Sequence, residues 1–437
     1  MNPYVAALLL WCCITAVAEQ RPWFIRNIRL YGAEDETAPP ILLLNPEAVT
    51  PVPVLGYPFV TLEVEVDASV PPALEARFIH CRPDWSESHN VFLTVGLTRT
   101  TLFSWEPATV NSRYYTYRGR LRIPNPQVTI AYAGNWKLQL YELANPEHLL
   151  AEARFFAVRP EGSCRVVVYS DLYASKPGIS PAAVTVEAWV QLPPTLAIDE
   201  RVQTVVFYRN HRWFEPYIVS HEPSLGVAAE RLYRQPYGKS ISGMLPGIKI
   251  FRAERLPAQN EYRVLDLSNP ALFPPNAPSP IRFPLADLRR NGSFSEWADD
   301  GAARTAFLPP YLQDYVPVEF ILDPEGAPPL AEDVFAVGSF NNWKASPEWR
   351  LTYDPEERLY RLRQLVRRGR HNYLYATGHL NADTGTMESL SFEEWEGNTT
   401  GSRISFWAFV YYRFPDQGGY DALITVGAAT LQGPLQP

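Results

Sequence analysis

Cysteine is scarce: four residues in 437, two of them adjacent at Cys12 and Cys13 inside an N-terminal apolar run. Once that run is removed only Cys81 and Cys164 remain, on different expected domains, so no multi-disulfide scaffold or cysteine-based zinc site is available, although an exported chain permits one bridge between them. They are expected to be buried thiols behaving as small hydrophobes. Basic excess is also missing. With 39 Lys and Arg against 47 Asp and Glu the net charge is −8, which removes the usual electrostatic case for binding nucleic acid. Beyond the first 18 residues no apolar run approaches the ~20 needed to span a bilayer, so no transmembrane segment is expected. The seven histidines show no H-E-x-x-H spacing, and no G-x-S-x-G elbow is present. Gly238-Lys239-Ser240 lacks the upstream glycine of a phosphate cradle, since Tyr233 stands there. No metal, no cofactor and no catalytic residue is therefore expected, and the chain reads as a non-enzyme.

Proline and aromatic residues are plentiful: 42 prolines and 13% aromatics. Proline at this density breaks helices and tolerates loops and sheet edges, which favours β structure. Residues 1–18 read as a signal peptide: Val5 to Val17 is apolar, and Ala16-Val17-Ala18 before Glu19 suits a signal peptidase. A chain of this length exceeds one core of ~250–300 residues. Period-two alternation recurs: Leu62, Val64 and Val66 against Glu63, Glu65 and Asp67; Tyr117, Gly119, Leu121 and Ile123 against Arg118, Arg120 and Arg122. Each run is a strand with one face on a core and one in water. Turn residues such as Pro71-Pro72 and Pro124-Asn125-Pro126 separate them. The fold class is all-β: three consecutive β-sandwich, immunoglobulin-like domains after the signal peptide. The expected divisions are 19–160, 163–290, a proline-containing connection at 291–314, and 315–437. Phe406 to Tyr412 is continuously apolar and reads as a strand buried on both faces.

Two features point to binding. Arg118, Arg120 and Arg122 share one strand face, where like charges repel. Acidic neighbours on adjacent strands would answer them, or an acidic partner would dock there. Gly338-Ser339-Phe340-Asn341-Asn342-Trp343 makes a tight turn after a strand and resembles the glycogen-binding type of immunoglobulin-like (E-set) module. In those modules the tryptophan after two asparagines stacks on a sugar, and a second tryptophan follows an Asp-Gly strand end. Here Tyr375 is followed by Ala376-Thr377-Gly378, so the module is expected to keep the fold without the two-aromatic platform. A carbohydrate-binding envelope protein using Asn341, Asn342 and Trp343 is the alternative reading.

Across nearly the whole mature chain the motifs fall in one order. His80-Cys81-Arg82-Pro83-Asp84-Trp85-Ser86, Gly96-Leu97, Ala133-Gly134-Asn135-Trp136, Asn210-His211-Arg212-Trp213, Asn260-Glu261-Tyr262-Arg263 and Glu396-Gly397-Asn398 resemble, in sequence, the type IX secretion system plug proteins. Departures include Ala133 for serine, Trp136 for tyrosine and Ala422 for arginine. The resemblance implies a periplasmic protein, peripheral to the outer membrane. It would bind the large outer-membrane translocon β-barrel, monomeric in that complex, and seal its opening when no cargo is engaged. His80, Cys81, Asp84, Trp85, Gly134, Asn135, Glu396, Gly397 and Asn398 are its motif residues, expected to be structural.

Overall fold

The computed structural model describes residues 23–431 apart from 45–55, 94–97, 197, 246, 276–280, 283–285 and 295–299. The signal peptide and Gly96-Leu97 lie outside the described residues. The chain is all-β as expected, with only short helical turns, and no described helix is long and apolar enough to cross a membrane.

The first unit is a two-sheet sandwich. One sheet runs Phe24–Gly32, Val60–Asp67, Tyr117–Ile123, Ser104–Pro107, all antiparallel. The other runs Ile41–Leu43, Asn145–Val158, Gly134–Glu142, Leu74–Cys81, Arg99–Thr100. Alternation places Leu62, Val64, Leu121 and Ile123 on the core face against Phe78, Trp136, Leu138 and Phe155. The register sets Leu62 opposite Leu121, Glu63 opposite Arg120 and Glu65 opposite Arg118. The arginine stripe thus has an acidic stripe beside it.

The second unit packs Ser163–Leu172, Ala182–Gln191, Ile248–Pro257 and Gly238–Leu245 against a second sheet. That sheet is Tyr217–Ser220, Val202–Arg209, Ile404–Phe414, Tyr420–Leu431. Here the expected division fails. The last two strands do not belong to a 315–437 domain, because Ile404–Phe414 pairs with Val202–Arg209. Their burial explains why. Phe406, Ala408 and Val410 fill the second unit's core, while Phe409 and Tyr411 pack on Phe156 and Trp85 of the first. The apolar run is buried on both faces, as read, but between two other units.

The third unit is therefore inserted between Ile248–Pro257 and Ile404–Phe414. Its strands follow the order Arg263–Asp266, Arg370–Leu380, Asp333–Gly338, Arg350–Asp354, Leu359–Arg367, Tyr315–Asp323, Ile281–Arg282. Arg263–Asp266 was expected in the second unit, and pairs instead with Arg370–Leu380. Ile281–Arg282 and Asp287–Leu288, also expected in the second unit, add in parallel to Tyr315–Asp323 of the third. Short edge pieces of this kind tolerate flanking proline, which cannot donate to a ladder.

Candidate functional site

The motif residues converge on the joints between units. At the end of Leu74–Cys81 the chain turns through Arg82 to Ser86, where Asp84 Oδ1 accepts the Ser86 N–H at 3.1 Å. This side-chain-to-backbone bond fixes the turn. Trp85 takes a left-handed backbone (φ 67°) and reaches into the second unit, where its Nε1 donates to Tyr208 Oη at 2.8 Å. Asn135 spans the same joint. Its Nδ2 donates to the Arg82 and Pro83 carbonyls at 3.2 and 3.3 Å, and its Oδ1 accepts the Tyr411 hydroxyl at 2.6 Å. Gly134, at φ 140°, leaves room for His80: a Cβ there would collide with His80 Nε2.

His80 and Cys81 are neighbours on one strand and point to opposite faces, yet both are buried, because the strand end lies between two packed units. Cys81 and Cys164 are free thiols, and burial pushes both up to about 12, so neither is poised as a nucleophile. His80 Nε2 donates to the Ala133 carbonyl at 3.2 Å, with Trp136 and Tyr420 edge-on to the ring. Burial pulls its pKa down to about 4, opposed only in part by that carbonyl. The unfolded chain takes this proton near 6.5, so between 6.5 and about 4 it binds more protons than the folded one. Stability contributed by the neutral ring is thus fully present above 6.5 and lost as pH falls toward 4. We predict that urea denaturation at pH 5 shows His80 costing about 2 kcal/mol relative to pH 7.5. Burial also pulls His371 down to about 4, so His80→Asn should remove its own share of that slope and leave the share of His371, and an unchanged slope would place the titration elsewhere.

A second joint gathers Glu396, Gly397 and Asn398. Both Glu396 oxygens accept from Arg263 Nε, at 3.0 and 3.2 Å, and Oε1 also accepts the Tyr375 N–H at 2.8 Å. Asn398 Oδ1 accepts the Gln259 N–H at 2.8 Å, and its Nδ2 donates to Tyr173 Oη at 2.8 Å. Gly397 is left-handed at φ 68°, with the Asn291-Gly292 backbone where a Cβ would stand. The Gly338–Trp343 turn lies nearby. Trp343 is 2% exposed, donates to the Gly301 carbonyl at 2.7 Å, and has Tyr262 and Arg212 against its ring at 4.6 and 4.9 Å. It is not presented as a sugar platform. Asn341 closes its own turn through the Gly338 N–H and the Ala336 carbonyl, while Asn342 Nδ2 donates to the Ile28 carbonyl of the first unit at 3.0 Å.

The third joint takes in the arginine stripe. Arg118 is buried, on Glu65 at 2.8 Å and Gln313 at 2.6 Å. Arg367 of the third unit reaches Glu63 at 2.7 Å and Glu65 at 3.2 Å, and Arg29 pairs with Glu63 and Glu36. Burial alone would raise the Glu63 carboxyl. Arg29, Arg367 and Arg118 outweigh it and hold Glu63 well below the usual carboxylate range. At this joint the stripe opens into a groove of about 390 Å³, lined from Arg118, Gln313 and Arg367 at one end to Phe59 and Arg122. There Arg120 is half-exposed, 3.4 Å from both Glu63 and Glu106, and Arg122 lies exposed over the Phe59 ring at 3.6 Å. The three arginines should separate in mutagenesis. Arg118→Ala strands buried carboxylates and should cost about 3 kcal/mol, whereas Arg122→Ala should stay within about 0.5 kcal/mol. Thermal denaturation of both variants checks this, and equal effects would contradict the assignment.

Residues 25–159 match the family model described as "Type 9 secretion system plug protein 1st domain". The chain carries that domain. It spans both sheets of the first unit and so contains the Asp84–Trp85 turn, Asn135 and the arginine stripe. The plug domain ties the chain to type IX secretion. A crystal structure of a hypothetical protein from Parabacteroides merdae ATCC 43184 shares the fold. The match has a TM-score of 0.71 and 18% identity, and covers 94% of this chain and 100% of that one. A biofilm associated protein BSP domain aligns at 7% identity over 93% of this chain and 58% of that one, with a TM-score of 0.15 that carries no argument. None of the curated proteins matches.

Sequence reasoning placed the motif residues in structural roles but did not pair them. Glu63 and Glu65 were legible as partners of the stripe, since they repeat at its two-residue spacing. Arg367 and Tyr208 carried no comparable local signal, and Arg263, though within the Asn260–Arg263 motif, carried none that named Glu396 as its partner.

Proposed function

We propose that this protein is a non-catalytic periplasmic plug, which binds the large outer-membrane barrel of the type IX system and seals its opening when no cargo is engaged. The plug-family first domain carries this reading. The joints support it: motif residues from three separated stretches, Trp85, Asn135 and Asn398, hold the units to one another rather than lining a reaction centre. A body fixed by buried joints fills a wide opening with little ordering cost, which favours binding. The open end of the arginine groove, with Arg120 and Arg122, is the contact we assign to an acidic patch on the barrel, where such charges speed encounter. The protein is taken to act as a monomer in that complex, soluble and peripheral to the outer membrane.

The test is affinity purification of the tagged mature protein from gently solubilised outer membranes. Recovery of one very large outer-membrane β-barrel, absent from a tag-only control, is expected. Cells lacking the protein should also admit small polar dyes into the periplasm. A barrel-expressing strain that yields no barrel, or a deletion strain that stays tight, would overturn the proposal.

A further inference from the structure

The second unit leaves one long sheet edge open. Gly238–Leu245 pairs on one side with Ile248–Pro257, setting Gly238 opposite Glu254, Ile241 opposite Phe251 and Gly243 opposite Lys249. Among the described residues no strand pairs with its other side. In an antiparallel ladder alternate residues direct their N–H and C=O groups away from the neighbour, so this edge presents a row of them.

The rest of the molecule manages its edges. Ser104–Pro107, Tyr217–Ser220 and Arg263–Asp266 have four residues each, Ile41–Leu43 three, and Arg99–Thr100 two. The longer Phe24–Gly32 edge lies against the third unit through Asn342, and Ser163–Leu172 lies against Tyr420–Leu431. Shortness and cover are the usual protections against unwanted strand pairing. Gly238 to Gly243 has neither, and it has no proline. Its single charge, Lys239, is tied to Glu230. Glycine within a strand marks places where another backbone comes close. At Gly243 an added Cβ would meet only the Ile248 carbonyl, at 3.9 Å.

We propose that this edge accepts an extended segment of a partner protein as an added strand. The two faces of the edge define the segment. Ile241 packs at the rim of the second unit's core, whereas Ser240, on the opposite face, donates to Glu254 at 2.8 Å. The segment therefore alternates, with apolar residues beside Ile241 and polar ones beside Ser240 and Ser242. A second copy of the chain fits less well. Edge-to-edge pairing brings only this eight-residue strand from each copy, against the ~20–30 residues a side of a stable interface. An extended segment takes its affinity from main-chain hydrogen bonds and needs no docked domain. The inference does not depend on the barrel reading, and its test uses no barrel.

The probe is a synthetic peptide alternating valine and threonine, capped with glutamates for solubility, added at millimolar concentration to the full chain. Hydrogen exchange within 238–243 is expected to slow about tenfold, with the short edges unchanged. Of the neighbouring positions Ser242 and Gly243, one directs its N–H outward. Of Ser242→Pro and Gly243→Pro, the variant at that position should keep the native melting temperature and lose the protection. Unchanged exchange at the edge, protection at other edges only, or protection that survives in the stable proline variant would each overturn the proposal.

Discussion

Glu396→Ala is expected to lower the stability by about 4 kcal/mol, measured by chemical denaturation at pH 7. The carboxylate is fully buried and both its oxygens bond Arg263, whose side chain is itself only 9% exposed. Truncation leaves that guanidinium with Asp287 at 3.1 Å and the Leu288 carbonyl at 2.7 Å. It also orphans the Tyr375 amide. Removing one partner of a buried pair costs ~3–5 kcal/mol, because the surviving charge keeps its desolvation penalty without compensation. The orphaned amide adds ~1–3 kcal/mol unless water reaches it. Glu396→Gln keeps an acceptor and should lose less than alanine. Since Glu396, Arg263 and Tyr375 all belong to the inserted unit, the loss should appear as loosening of its Arg263–Asp266 edge, read by exchange of the Tyr375 amide. A loss under about 1 kcal/mol would mean that solvent screens the pair in solution.

What could be read in advance was local. Period-two alternation identified the faces of Val60–Asp67 and Tyr117–Ile123 because side-chain direction in a strand depends only on position along it. Partner choice depends on the whole chain. Phe406 to Tyr412 announced two buried faces, yet nothing nearby said that its ladder partner is Val202–Arg209, two hundred residues earlier. Arg263–Asp266 was misplaced for the same reason: its partner, Arg370–Leu380, comes long after it. An insertion leaves no mark on the local pattern of the strands it separates.

The arginine stripe shows the same limit at the level of a site. Repulsion between like charges on one face demanded an answer, and Glu63 and Glu65 supply it from the adjacent strand. Their burial comes from Arg367, on a unit that sequence order places far away. One stripe therefore splits: Arg118 is interior, while Arg120 and Arg122 remain available. The Asp84–Trp85 turn behaves likewise. Its left-handed tryptophan is costly in isolation, and is held because Tyr208 and Phe156 receive the indole.

Trp343→Ala tests whether the Gly338–Trp343 turn holds the fold or presents a ligand site, and it is expected to cost about 4 kcal/mol. The indole fills the joint between the second and third units, with Tyr262 and Arg212 against its ring and its N–H on the Gly301 carbonyl. Truncation leaves a cavity lined by groups that cannot collapse freely, since Arg212 is held by Gln259 at 2.6 Å and Glu215 at 3.4 Å. The lost contacts, the void and an unpaired carbonyl all act in one direction. Asn342→Ala removes the bond to the Ile28 carbonyl and puts alanine at a left-handed φ of 53°, which asparagine tolerates better, and should cost about 1–2 kcal/mol. The two variants thus differ in a stability measurement, whereas a sugar-stacking residue would leave stability untouched and alter glycan binding. A Trp343→Ala protein that melts like the native one would mean that the ring is free of Tyr262 and Arg212 in solution, and would return the turn to the class of ligand sites.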